Sequence, residues 1–270
     1  MQHRRQARGI RVMAIHRTAI VDPGASVDPT AEIGPYCIVG PGVRIGAGTR
    51  LMAHAYVDGD TEIGRDNRFY PYSTVGVAPQ DLKYQGEPSK TTIGDRNQIR
   101  EFCTIHRGTE GGGSLTAIGD DNLLQAYAHV AHDCFVGSHC VLCHSATLGG
   151  HVSVQDYAWV GAHSGVHQYC RIGAHSFVGG FSVVTQDVLP FATVVSERET
   201  KTHNVNGTGL KRRGFSSEEI QSLRRAFKIL VQSELNNDQA LAKIAAELPA
   251  SPHLDQLRDF VRSSKRGFVP

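Results

Sequence analysis

The chain has 270 residues, and from its net charge of +2 no strong polyanion-binding character follows, so no nucleic acid partner is expected. Aromatic residues make up only 7% while glycines number 29, a balance that favours a chain built of corners over one built on a large aromatic core. No apolar run approaches the roughly 20 residues needed to span a bilayer, so no integral membrane segment is expected.

The first twelve residues, MQHRRQARGIRV, are basic but lack the apolar stretch of a secretory signal. Residues 1–14 read as a flexible extension, either a tail or a segment ahead of a start at Met13, with a targeting fragment as the alternative.

From Ile15 onward every sixth residue is apolar: Ile15, Val21, Val27, Ile33, Val39, Ile45, Leu51, Val57, Ile63, Phe69 and Val75. A hexapeptide period is the signature of a parallel β-helix, in which each unit supplies one short strand and one corner. Three units close one coil, so a residue lies over the one 18 places later, about 4.8 Å along the axis. The period predicts a solenoid over residues 15–190 with two interruptions. The first, residues 78–92, contains Gln80-Asp81-Leu82-Lys83-Tyr84. The series resumes at Ile93, Ile99 and Ile105, and a glycine-rich second loop at 108–117 absorbs a one-residue slip of phase. Insertions of this kind are extruded as surface loops, often on the binding face. From Ile118 to Val184 the period then runs unbroken.

Five of the six cysteines, Cys37, Cys103, Cys134, Cys140 and Cys170, fall in one small-residue column beside the aliphatic one, where a reduced thiol serves as a small hydrophobe. The single Cys-x-x-Cys pair, Cys140 and Cys143, has no second pair to make a zinc site. These features predict a reducing compartment without disulfides.

After Gln186 the repeat stops, and residues 191–270 read as a connector followed by a small helical domain. Ser216 and Glu219 form a capping-box signature ahead of Ile220, Leu223, Phe227 and Leu230 at helical spacing. Further helices are predicted over 238–248 and 252–263. So few residues bury little by themselves, which predicts packing on the solenoid or on a neighbouring subunit. The basic residues Lys211, Arg212, Arg213, Arg224, Arg225 and Lys228 read either as a solvated surface or as a docking patch for an acidic partner or phosphates.

Eight of the fourteen histidines lie between positions 129 and 175, where the coil rule applies without correction. His132, Gly150 and Gln168 fall in one vertical ladder, with His151 beside Gly150 and His167 beside Gln168, all within about 10 Å along the axis. His129 precedes that corner by three residues. Two chemistries compete for such a cluster. Three imidazoles with an open fourth position suit a catalytic zinc, as in the γ-class carbonic anhydrases on the same solenoid. Alternatively one histidine acts as general base, with Asp133 orienting His132 and the Gly150 N–H serving as oxyanion donor. Spacing alone does not separate them.

Ala128-His129-Val130-Ala131-His132-Asp133-Cys134, Gly150-His151-Val152-Ser153 and Val166-His167-Gln168 resemble the UDP-N-acetylglucosamine O-acyltransferases of lipid A biosynthesis. So do the Gln80 to Tyr84 motif, Ile99-Arg100-Glu101, Thr104-Ile105-His106-Arg107-Gly108-Thr109 and Gly209-Leu210-Lys211-Arg212-Arg213-Gly214-Phe215. The resemblance runs from about Ile15 to Gly267. It implies a left-handed parallel β-helix followed by a small C-terminal α-helical domain, and a cytoplasmic homotrimer with active sites between subunits. The implied reaction moves a 3-hydroxyacyl chain from acyl carrier protein to the glucosamine 3-hydroxyl of UDP-N-acetylglucosamine. Carried over position by position, His132 matches the general base with Asp133 beside it, and Gly150 the oxyanion donor. His129, His151, His167, Gln168, Asp81 and Lys83 match substrate-contacting positions, and Asn206 and Arg212 match nucleotide-side contacts. A thioester is already activated, so no metal or other cofactor is implied. Thr208 departs from the family, which often carries an acidic sugar-contacting residue there. Gly180 resembles the position that limits acyl length, with room for a longer chain unless Phe181 refills it. The related N-acyltransferases carry a uridine-binding domain ahead of their repeat, whereas here the repeat begins at Ile15. A catalytically dead hexapeptide scaffold is the remaining alternative.

Overall fold

A computed structural model describes residues 15–196 and 205–264, which fall into two compact units divided after Ser196. The expected extension over 1–14 and the middle of the connector lie outside the described residues.

The first unit is a left-handed parallel β-helix of three sheets with nine, eight and nine strands. Most strands are two residues long, an outward residue followed by an inward aliphatic one, as in Arg50–Leu51 and Trp159–Val160. The pairing Ile20↔Ile38 and Val21↔Val39 sets the 18-residue coil, and His129↔Thr147↔Gly165 keeps it in the second run. Along one face Ile33, Leu51, Phe69, Ile99, Leu124, Leu142, Val160 and Val178 stack as a continuous buried column. Each buried aliphatic side chain contributes about 1.5–3 kcal/mol against exposure. Ile15, Val21 and Val27, in the first described coil, are only partly covered.

Two devices hold the corners. Tyr36, His54, Tyr72, Phe102 and Tyr127 all have left-handed backbone, φ 57–63°, and their rings stack coil upon coil at 4.8–5.1 Å. Ring stacking offsets the roughly 1–2 kcal/mol that a left-handed residue with a β-carbon costs. Inside another corner Asn67, Asn97 and Asn122 are buried in a ladder. Asn67 Oδ1 accepts from both the backbone N–H and the side-chain amide of Asn97, and Asn97 Oδ1 accepts from the N–H of Asn122. All six cysteines are free and buried, and Cys134 Sγ donates to the Gly149 carbonyl at 3.1 Å.

The interruptions are tighter than the period implied. Strand Lys90–Ile93 pairs with both Asp60–Ile63 and Leu115–Ile118, so the closing residues of both expected loops are β-strand. Within the second insertion Glu110–Gly112 makes a single 3-10 turn, and Gly108 and Thr109 are buried rather than extruded. At its upper end the solenoid continues to Thr193–Val194, which pairs with Phe177–Val178.

In the second unit α1 spans Gly207–Arg212, α2 Ser217–Gln232, α3 Asn237–Glu247 and α4 Pro252–Ser263. The Ser216 and Glu219 capping box is present, and Asn236 with Gln239 forms a second. Ala226, Ile244, Leu248 and Leu254 form a small core of this unit. Helix α1 lies within what reads as connector. Its two glycines are poor helix formers, and the Asn206 cap accepting from Gly209 N–H helps fix it.

Candidate active site

The strand His129–Val130 delivers the chain to a corner where Ala131 and His132 lead into Asp133, itself left-handed at φ 59°. The Asp133 N–H donates to Thr116 Oγ1 at 2.8 Å, which pins this unusual backbone. Its carboxylate is fully buried and completely engaged. Oδ1 accepts from the Thr109 N–H at 2.8 Å, and Oδ2 accepts from the Thr109 hydroxyl at 2.6 Å. The same Oδ2 lies 2.7 Å from His132 Nδ1. An ionised carboxylate only accepts hydrogen bonds, so the proton sits on Nδ1 and the lone pair of a neutral His132 on Nε2.

One coil further up, Gly150 lies against the ring of His132, and a β-carbon there would stand 2.6 Å from Cε1 and 2.7 Å from Nε2. Only glycine permits this approach. The N–H of Gly150 donates to no group among the described residues, whereas its carbonyl accepts from Tyr169. His151 is held edge-on to His132 at 5.1 Å and stacked on Tyr169 at 4.4 Å, its Nδ1 3.8 Å from Asp133 Oδ2.

Behind His132 a second pair extends the row. His129 Nδ1 is 2.7 Å from Thr104 Oγ1, and its ring meets the edge of His106 at 5.0 Å. Burial, then the neighbouring His129 and His132, push the pKa of His106 down to about 4. Burial and the proximity of His132 also lower that of His129. Both are therefore neutral at pH 7. His106 and Thr109 stand in the motif that runs into the second insertion, yet neither had a role assigned from sequence. His106 extends the strand one residue past Ile105 and pairs with Val77 across a shift of register between Val75 and Val77.

The structure thus brings His132, Asp133, Gly150, His151 and His129 together. It leaves His167 and Gln168 exposed at the corner above, His167 Nδ1 lying 3.1 Å from the Gln168 carbonyl, with no hydrogen bond or ring contact to His132 or His151. Asp81 and Lys83 sit on the first loop, where Asp81 Oδ1 accepts from the Lys83 N–H at 3.0 Å. That loop is tied down by Arg107, which donates to the Tyr84 hydroxyl at 3.0 Å. Asn206 and Arg212 belong to the second unit, as the cap and last turn of α1. A cavity there of about 380 Å³ is lined by Thr208, Lys211, Ser217, Gln221 and Arg224.

His132, Asp133 and His151 offer three ligand atoms within 4.8 Å of one another. A cation bound there would have to displace the Thr109 hydroxyl and the His132 Nδ1–H from the same Asp133 oxygen. The donor set fits an oriented imidazole better than a zinc centre.

Residues 187–269 match the family model described as UDP-N-acetylglucosamine O-acyltransferase, domain 2. Among solved structures the chain is similar to LpxA from Acinetobacter baumannii, at 42% identity, over 95% of this chain and 100% of that one, with a TM-score of 0.68. It is similar to the UDP-N-acetylglucosamine O-acyltransferase from Moraxella catarrhalis at 41% identity, over 96% and 100%, with a TM-score of 0.67. The Francisella novicida UDP-N-acetylglucosamine acyltransferase matches at 36% identity over 94% and 93%, with a TM-score of 0.67.

Proposed function

The chain belongs to the UDP-N-acetylglucosamine O-acyltransferase family, and we propose that His132 is its general base. The reaction is acyl transfer to UDP-N-acetylglucosamine in lipid A biosynthesis. Its donor, in this reading, is a 3-hydroxyacyl thioester of acyl carrier protein, and its acceptor the 3-hydroxyl of the glucosamine ring.

The observation that carries the reading is the hydrogen-bonded pair His132–Asp133 packed against Gly150, whose N–H donates to no group among the described residues. An alcohol is a weak nucleophile at neutral pH. His132 Nε2 takes the 3-hydroxyl proton as that oxygen attacks the thioester carbon. The negative charge passes to the carbonyl oxygen, and the Gly150 N–H is the donor available to it. Collapse of the tetrahedral intermediate breaks the carbon–sulfur bond, and the imidazolium returns its proton to the departing thiolate. Asp133 fixes the tautomer throughout and stabilises the imidazolium.

His129, His151, His167, Gln168, Asp81 and Lys83 are substrate contacts in this reading, and Asn206 and Arg212 nucleotide-side contacts. The enzyme is a homotrimer with sites between subunits, and the carrier-protein donor sets the reaction in the cytoplasm. No helix among the described residues is long and apolar enough to cross a membrane.

The test is transfer from 3-hydroxyacyl carrier proteins of several acyl lengths to UDP-N-acetylglucosamine, in the wild type and in His132→Ala. Loss of turnover with the fold retained is expected. Wild-type-like turnover in the variant would remove His132 from the mechanism, and stoichiometric zinc with chelator-sensitive activity would replace acyl transfer by metal chemistry.

A further inference from the structure

The carboxylate of Asp133 is held in place by a segment 24 positions away, and that segment is the second interruption of the repeat. Thr109 donates twice, through N–H to Oδ1 and through the hydroxyl to Oδ2, the very oxygen that faces His132 Nδ1. Thr109 is itself buried, at 7% exposure. The turn that follows, Glu110–Gly112, lies so close that a β-carbon on Gly112 would overlap the Asp133 carboxylate, whereas one on Gly111 would meet nothing.

We propose that Thr109 and the Gly112 turn are positioning elements of catalysis, which fix the Asp133 carboxylate and through it the tautomer and aim of His132. The inference rests on the reading of His132 as general base. It gives the second insertion a role in the reaction. With the Thr109 hydroxyl present, the carboxylate has a donor on each oxygen besides His132 and a single orientation. Without it, Oδ2 is held by His132 alone, the carboxylate turns about its remaining bond to the Thr109 N–H, and the imidazole loses the acceptor that keeps its proton on Nδ1. A displacement of this size at a catalytic group costs up to about a hundredfold in rate.

The experiment compares Thr109→Val, Thr109→Ser, Gly112→Ala and Gly111→Ala in the full chain. For Thr109→Val and Gly112→Ala, kcat should fall about ten- to a hundredfold while KM for both substrates stays within about threefold. Thr109→Ser, which keeps the hydroxyl, and Gly111→Ala should stay near wild type. In an Asp133→Ala background, Thr109→Val should change kcat by less than about twofold, because the group it positions is gone. An undiminished loss in that background, or wild-type kcat in Thr109→Val, overturns the proposal. If Thr109→Val does not fold, the contrast between Gly112→Ala and Gly111→Ala decides by the same kcat criterion. If the wild type itself transfers no acyl chain, the functional reading fails, and the positioning claim is then decided by ¹⁵N NMR of the His132 ring. A protonated Nε2 population appearing in Thr109→Val or Gly112→Ala supports it, and ring shifts identical to wild type in both refute it.

Discussion

Gly150 and His132 are stacked so closely that the ring occupies the space a β-carbon on residue 150 would need, 2.6 Å from Cε1. One glycine therefore serves two purposes: it admits the imidazole against the next coil, and it carries an N–H that donates to no group among the described residues. Gly150→Ala should push the ring aside and screen the donor together. Loss of one oxyanion donor costs about 10²- to 10³-fold in kcat, and a loss in that range is expected here with an unchanged circular dichroism spectrum. An alanine variant with full turnover would show that neither the stacking nor the N–H is used.

Buried neutral histidines make stability depend on pH in a defined direction. The pKa of His106 is pushed down to about 4, against about 6.5 for an unfolded histidine. Between these values the unfolded chain binds a proton that the folded chain does not. The stabilisation is therefore fully present above about pH 6.5 and is lost as the pH falls toward 4, with His129 acting in the same sense. The contribution is on the order of 3 kcal/mol. Urea midpoints measured from pH 7 to 4.5 should show the wild type losing more stability than His106→Gln. Parallel curves for the two proteins would contradict the assignment.

The thiols offer a simpler check on the coil. Burial raises the pKa of Cys103 and Cys134 to about 12 and that of Cys140 to about 11, so thiolate is scarce at pH 8 and shielded from reagents. These three cysteines should resist iodoacetamide in the native state and react on unfolding in urea. Rapid native labelling at any of them, located by mass spectrometry, would mean that the column is more open than described.

How much of this was legible in the sequence follows from what fixes each contact. The six-residue period placed Val130, Leu148 and Val166 over one another, and with them His132 beneath Gly150, because short parallel strands leave no freedom of register once the aliphatic face is buried. His106 was illegible for the opposite reason, since its pairing with Val77 crosses a one-residue register shift beside Gly76 that no periodicity encodes. Thr109 reaches Asp133 only through the path of an irregular insertion, which spacing cannot supply. The same arithmetic that placed His132 beneath Gly150 assigns His167 to this corner, where it is exposed together with Gln168. The short α1 helix carries no apolar period to announce it.

The buried asparagine ladder yields a stability prediction separate from activity. Asn97 Nδ2 donates to Asn67 Oδ1 at 3.0 Å and to the Gly119 carbonyl at 2.9 Å, while its Oδ1 receives the Asn122 N–H. Asn97→Leu strands the buried Asn122 N–H and leaves the part-buried Gly119 carbonyl without its side-chain donor. Each buried polar group left without a partner costs about 1–3 kcal/mol, so a loss of that order is expected by urea unfolding. The surviving folded fraction should retain its KM values, and an unchanged urea midpoint would show that the ladder is replaceable.

The sharpest probe of the catalytic pair is Asp133→Asn, because it preserves shape and inverts only hydrogen-bonding sense. One carboxylate oxygen becomes an amide that can only donate. If the amide takes the place of Oδ2, it faces the Thr109 hydroxyl and His132 Nδ1, and if it takes the place of Oδ1, it faces the Thr109 N–H. The second arrangement opposes a backbone donor that cannot rotate away, so the amide turns toward the threonine hydroxyl, which can reverse and accept, and toward His132. There it forces the imidazole proton onto Nε2, removing the lone pair that takes the substrate proton. The analogous change in a serine-protease triad costs about 10⁴-fold, and a drop of at least about 10²-fold in kcat is expected here, with little change in KM or thermal midpoint. Near-normal turnover in Asp133→Asn would mean that Asp133 shapes the corner through its backbone alone and takes no part in proton transfer.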